Sequence, residues 1–140
     1  MKNPTEDILT LLVEDQDLDL AGGQNLFIGK EPASPANCVT LFDTGGKLMR
    51  TPARGERYEY STISVRTRAT HYGQGMIRAR AISRALDGLS SVIIDDTKYT
   101  FIGTLDSPSL IGYDENNRAW IVFNLEVQRR PLHEAEIEVT

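Results

Sequence analysis

At 140 residues and 15.6 kDa the chain is the size of one domain, large enough to bury one core and too small for two. Apolar residues make up 40% and charged residues 25%, which excludes a disordered polyelectrolyte, and no run approaches the ~20 apolar residues of a membrane-spanning helix. The net charge of −5 argues against a nucleic-acid-coating surface, and the single cysteine, Cys38, excludes an intrachain disulfide or a cysteine-built metal cluster.

The N-terminus lacks the charged-then-apolar pattern of a secretory signal, so a soluble, reducing compartment is expected. Charge is uneven: the first twenty residues are acidic, the middle is basic, and the segment after Pro131 is acidic again.

Residues 3–14 read as a helix. Asn3 can cap it, Pro4 suits its first position, and Glu6 has capping-box spacing from Asn3. Ile8, Leu9, Leu11, Leu12 and Val13 supply its apolar side, and Gly22-Gly23 breaks the chain after it. Asn25–Lys30 is a short strand ended by Pro32 and Pro35. Cys38–Asp43 alternates as a second strand, in which the apolar neighbours of Cys38 point to a buried thiol and not a nucleophile. Thr44-Gly45-Gly46 reads as a sharp turn.

From Gly45 to Glu59 no period is visible. About fifteen residues is long for a loop in a small domain, so this segment is expected to be mobile or engaged with a partner. It carries Lys47, Arg50, Arg54 and Arg57. Alternation resumes over Tyr60–Thr70, with Thr62, Ser64, Arg66 and Arg68 on one face and Ile63, Val65, Thr67 and Ala69 on the other.

His71–Leu89 is the stretch around which the rest is arranged. Met76, Ala79, Ile82, Leu86 and Leu89 recur at helical spacing, while Arg78, Arg80, Arg84 and Asp87 fall mostly on the other side. Such a helix between strands predicts that it lies across a sheet and seals the apolar face. Ser91–Ile94, a turn at Asp95-Asp96-Thr97, and Tyr99–Gly103 form a hairpin. A loop at Asp106-Ser107-Pro108 and a turn over Gly112–Asn117 follow. Arg118–Arg130 is the longest strand, with Ala119, Ile121, Phe123, Leu125 and Val127 on one face and Trp120, Val122, Asn124, Glu126 and Gln128 on the other.

The pattern predicts an α+β fold: a mostly antiparallel β-sheet with helices packed on one face and a long loop between strands. One domain, 1–140, is expected, with flexible ends at 1–3 and 132–140.

Catalytic constellations are hard to assemble. His71 and His133 have no nucleophile context such as G-x-S-x-G. Asp95, Asp96, Asp106 and Asp114 carry oxygens that suit a hard cation, but Asp114-Glu115-Asn116-Asn117 departs from a calcium loop and is explained by turn formation. Gly73-Gln74-Gly75 ahead of a helix is half of a phosphate cradle, without the third glycine or the lysine of the full motifs. No cofactor or metal is expected. Arg66, Arg68, Arg78, Arg80 and Arg84 form a solvated face or pair with the acidic ends of another copy.

Four stretches in order carry a resemblance: LFIGKEPASPANCVTLFDTGG, the arginine-rich strand STISVRTRA, a helix ending in LDGL, and IGYDENNRAWIVFNLEVQRRP. Together they resemble the tail terminator, or tail-completion, proteins of long-tailed bacteriophages, often labelled minor capsid proteins, over Leu26–Pro131. The resemblance implies helices against a β-sheet and a virion protein made in the host bacterial cytoplasm. It also implies a homo-oligomeric, hexameric ring on the head-proximal end of the tail tube, which ends polymerisation and joins the head. The implied partners are the chain itself, the tail-tube protein and a head-completion protein, with DNA passing through unbound and no membrane involved.

The expected role is structural, with no enzymatic activity. Lys47, Arg50, Arg54, Arg57, Arg66, Arg68, Arg78, Arg80 and Arg84 are the candidate interface residues. The alternatives are another head–tail connector, such as a head-completion or stopper protein, and a small enzyme or ligand-binding domain using the Asp95–Asp114 carboxylates.

Overall fold

The computed structural model describes the backbone of residues 1–51 and 56–133 and the side chains of residues 1–47 and 58–133. Two helices, α1 (Pro4–Glu14) and α2 (Tyr72–Leu86), cover one face of a seven-stranded sheet. The strands are β1 (Leu26–Ile28), β2 (Cys38–Thr51), β3 (Glu56–Ala69), β4 (Val92–Ile94), β5 (Thr97–Thr104), β6 (Ser109–Tyr113) and β7 (Ala119–Pro131). They run in the order β1-β2-β3-β7-β5-β4. The long strand β7 has β3 along one side, while β5 and β6 divide the other. Every pair is antiparallel except β1 with β2.

The helix starts follow the sequence. At α1, Glu6 Oε2 accepts the Asn3 N–H at 3.1 Å, and Pro4 occupies a position that needs no donor. Its buried stripe is narrower than five apolar residues suggest. Ile8 and Leu12 are buried, Leu9 and Leu11 half-buried, and Val13 exposed, because a helix shows the sheet only one side. In α2 the buried set is Gly75, Met76, Ala79, Ile82 and Leu86, so the predicted dry face holds as far as Leu86. Leu89 lies beyond the helix, half-buried and bridged to Ile102.

Gly75 has a packing reason beyond the helix start. A Cβ there would stand 2.8 Å from both Ala69 Cβ and Ile121 Cδ1, so its absence lets α2 sit close on β3 and β7.

Alternation correctly divides the long strands. Ile63, Val65, Phe123, Leu125 and Val127 join Ile8, Leu12, Val39, Leu41, Ile82 and Leu86 in one core under the helices. At ~25 cal/mol per Å² of apolar area, each fully buried Leu, Ile or Phe contributes about 1.5–3 kcal/mol.

Three expectations need correction. The predicted Gly45–Glu59 loop is largely strand: β2 continues through Thr51, and β3 begins at Glu56, paired from Thr51↔Glu56 to Cys38↔Arg68. Gly45 and Gly46 mark a β-bulge and not a turn, with φ of 101° and 153° and a register shift between Asp43 and Gly45. A Cβ on Gly46 would fall 1.9 Å from the Tyr60 carbonyl oxygen, so only glycine fits. The bulge breaks the period of two, which hides the strand.

The second correction is at Gly112–Asn117. Gly112 and Tyr113 belong to β6, and the turn is confined to Asp114–Asn117, where Asp114 Oδ1 accepts the N–H groups of Asn116 (2.9 Å) and Arg118 (2.8 Å). The third is Asn25–Lys30, which shortens to Leu26–Ile28. The acidic stretch 134–140 lies outside the described residues.

Candidate assembly surface

The open face of the sheet is covered in part by its own chain. The connection from β1 to β2 crosses it, and the side chains of β3 and β7 hold it there. Arg68 donates from Nη2 to the Pro35 carbonyl at 2.7 Å and from Nε to the Ala36 carbonyl at 3.2 Å, while Arg118 Nη1 donates to the Ala33 carbonyl at 2.8 Å. Glu31 joins them. Its carboxylate lies 3.4 Å from Arg66 Nη1 and 3.7 Å from Arg68 Nη1, and it accepts the Trp120 indole N–H at 3.1 Å. The Arg66 guanidinium sits between two rings, 5.0 Å from the Phe42 centroid and 5.2 Å from that of Trp120.

This strap explains why Cys38 and Thr40, although on the open face, are fully buried, and why burial pushes the Cys38 thiol up. Two of the candidate interface arginines, Arg66 and Arg68, are thereby engaged with their own chain, and Arg68 is only 3% exposed.

The remaining candidates scatter. Lys47 is exposed at the bulge on β2. Arg50 and Arg57 face each other in the β2–β3 ladder, their side chains lying outside the described residues, as does the whole of Arg54. Arg80 and Arg84 are exposed on α2, and Arg78 is half-buried on the flank toward Asn37 and Thr67.

The two sides of the molecule differ in chemistry. The half that ends at β1 carries α1 and the turn after it, where Glu14, Asp17 and Asp19 are exposed. The opposite half ends at β6, which pairs with β7 on one side and with no other strand among the described residues. Its Leu110, Ile111 and Tyr113 are exposed, as is Tyr72 at the start of α2. An open strand edge bearing apolar side chains is a template for another chain.

Under the helices lies a polar cluster that the sequence reading missed. Arg129 Nε donates to Glu59 Oε2 at 2.9 Å, and Nη1 donates to the Tyr99 hydroxyl at 3.4 Å and to the Lys2 carbonyl. Tyr99 donates to Asp7 Oδ2. Asp7, Tyr99 and Arg129 are each 5% exposed or less. Burial raises the Asp7 carboxyl, against the opposing pull of the Tyr99 hydroxyl and Arg129. One signal was present: continuing the inward parity of Ala119 through Val127 puts Arg129 on the buried face.

The four aspartates weighed as a cation site are not gathered. Asp95 pairs with Lys2 Nζ at 2.9 Å, Asp96 with the N-terminal ammonium at 3.4 Å, and Asp114 with Arg118 Nε at 2.6 Å. Asp106 accepts the Asn124 backbone N–H at 2.7 Å and its side-chain amide at 2.8 Å. Among the described residues, no three His, Cys, Asp or Glu side chains form a metal-binding group. No helix among them is long and apolar enough to cross a membrane. His71 is the N-cap of α2 and makes no capping bond with its side chain.

Residues 11–130 match the family model described as bacteriophage tail terminator protein. The chain belongs to the tail terminator family. That makes it a structural protein of a phage-type virion. Its fold is similar to that of a solved chain from the virion of a native gene transfer agent particle, with a TM-score of 0.62 and 15% identity over 91% of this chain and 94% of that one. At that identity the likeness is one of fold. No protein of curated function matches the sequence.

Proposed function

We propose that this tail terminator closes the head-proximal end of the tail tube as a ring of identical subunits, ending tube growth and offering the surface to which the head joins. The observation that carries the reading is the unlike character of the two sides of the subunit. A closed ring is built from heterologous contacts, in which one patch meets a different patch on the next copy. The open β6 edge, with Leu110, Ile111 and Tyr113, is one such patch. The acidic α1 side, with Glu14, Asp17 and Asp19 exposed, is the other. Lys47, exposed on β2, and the basic residues of the same stretch, Arg50, Arg54 and Arg57, are the proposed contacts with the tube or the neighbouring subunit. Six copies is the number the resemblance implies. The proposed partners are tail-tube protein on one side and head-completion protein on the other, with DNA passing through unbound.

Electron microscopy of tails assembled without the chain tests this. Tubes of uncontrolled length that fail to join heads are expected, with adding back the wild-type chain restoring both. The Ile111→Glu variant places a charge on the open edge and is expected to fold but not restore length control. Normal-length, head-joined tails made in the absence of the chain would sink the proposal.

A further inference from the structure

A cavity of about 170 Å³ opens between the start of α2 and the adjoining ends of β2 and β3. It is lined by Asn37, Thr67, Arg68, Ala69, Gln74, Gly75 and Arg78, a set with two guanidinium groups, two amides and no carboxylate. No side chain caps α2, so its first N–H groups and the positive end of its dipole are left for another acceptor. The decisive feature is Thr67. It is fully buried, it lines this cavity, and its hydroxyl has no hydrogen-bond partner in the protein. A buried hydroxyl without a partner is costly, and such groups are rare in folded proteins.

Asn37 is similarly poised. Its Oδ1 accepts the Thr70 N–H at 2.9 Å, which leaves the amide N–H groups as donors. Arg68 is spent on carbonyls and Glu31, whereas Arg78 has no ion pair among the described residues. Gly75 keeps the floor low, since a Cβ there would collide with the sheet.

We propose that this cavity is an oxyanion site. A carboxylate or phosphate oxygen accepts from the Thr67 hydroxyl and the opening N–H groups of α2, and Arg78 supplies the neutralising charge. The same chemistry has two sources: a free phosphate ion, or a side-chain carboxylate of a second copy from its exposed Glu14–Asp19 turn.

Chemical-shift titration of the labelled chain separates these, with inorganic phosphate in one arm and a peptide of residues 12–20 in the other. Saturable shifts at Gly73, Gln74 and Thr67 in either arm are expected, and the arm that saturates at lower concentration names the source. Arg78→Ala should weaken binding about tenfold or more, and the near-isosteric Thr67→Val severalfold, whereas Arg84→Ala should leave it unchanged. Thr67→Val should also keep or raise the melting temperature, since it removes a partnerless hydroxyl, so weakened binding cannot be ascribed to unfolding. No saturable shift in either arm, or equal binding by Arg78→Ala, would overturn the site. Ring formation on tails is a separate readout, so the site and the terminator role can fail independently.

Discussion

Two acid–arginine clusters sit on opposite faces of the same sheet and hold different things. Beneath the helices, Asp7, Glu59, Tyr99 and Arg129 join α1 to β3, β5 and β7, and the arginine is almost wholly buried. On the open face, Glu31, Arg66, Arg68 and Trp120 hold a connection between two strands, and Arg66 keeps about a third of its side chain in solvent. The residue types are nearly the same. What differs is one member: Arg66 on the open face is partly in water, although Arg68 beside it is as buried as Arg129 and is held by two backbone carbonyls as well as by Glu31. Removing one member of a buried ion pair leaves an uncompensated charge in a poor dielectric, whereas a partly wet cluster can rehydrate.

The largest test of that contrast is Arg129→Leu. It strands Asp7 and Glu59 and should cost about 3–5 kcal/mol. Calorimetry should show a melting temperature lower by roughly ten degrees or more. A loss under about 1 kcal/mol would mean that α1 is held by Ile8 and Leu12 alone, and the two faces would then be alike.

Glu31→Gln is the smaller counterpart. It keeps an acceptor for the Trp120 indole but removes the charge facing Arg66 and Arg68. A cost of about 1 kcal/mol is expected. Trp120 is the single tryptophan, so its emission reports the strap directly. Emission should shift to longer wavelength as the connection lifts, while far-ultraviolet dichroism stays unchanged. An unaltered spectrum would show that the arginine–carbonyl bonds at Pro35 and Ala36 suffice.

The same contrast explains what could be read from the residues. Periodicity found α1, α2, β7 and the inner part of β3, because each buries one face against a single layer and the pattern of apolar residues records it. It failed at β2 beyond Asp43, where a two-glycine bulge shifts the phase, and at β6, where five mostly exposed residues bury nothing. The arginines were legible as a basic set, but their roles were not. Arg66 and Arg68 look like surface charges until the Glu31 connection, with no periodicity of its own, is folded across them. Arg129 was recoverable by parity, Asp7 only by noticing a carboxylate on an apolar helix stripe. The family resemblance depended on order along the chain, which survives such local failures.

Acid titration sharpens the comparison further, because carboxylates in different settings pull stability in opposite directions. Burial raises Asp7, so the folded state binds its proton at a pH where the unfolded chain, near 3.9, does not. Between those values stability rises as pH falls, since protonation relieves a buried charge. Asp114 runs the other way. Desolvation would raise it, but the Arg118 N–H and guanidinium and the Asn116 N–H outweigh that and hold it below its ordinary range. Its contribution is complete above the unfolded value and is lost as pH falls through the depressed one. The Asp7→Asn variant should therefore lose the gain that the wild type shows on acidification toward pH 4, while Asp114→Asn should lose the steep drop below it. Denaturant midpoints measured across this range for the three chains decide the matter. A wild type whose stability only falls from neutral pH downward, in parallel with Asp7→Asn, would show that the Tyr99 hydroxyl and Arg129 stabilise the Asp7 charge more than burial penalises it.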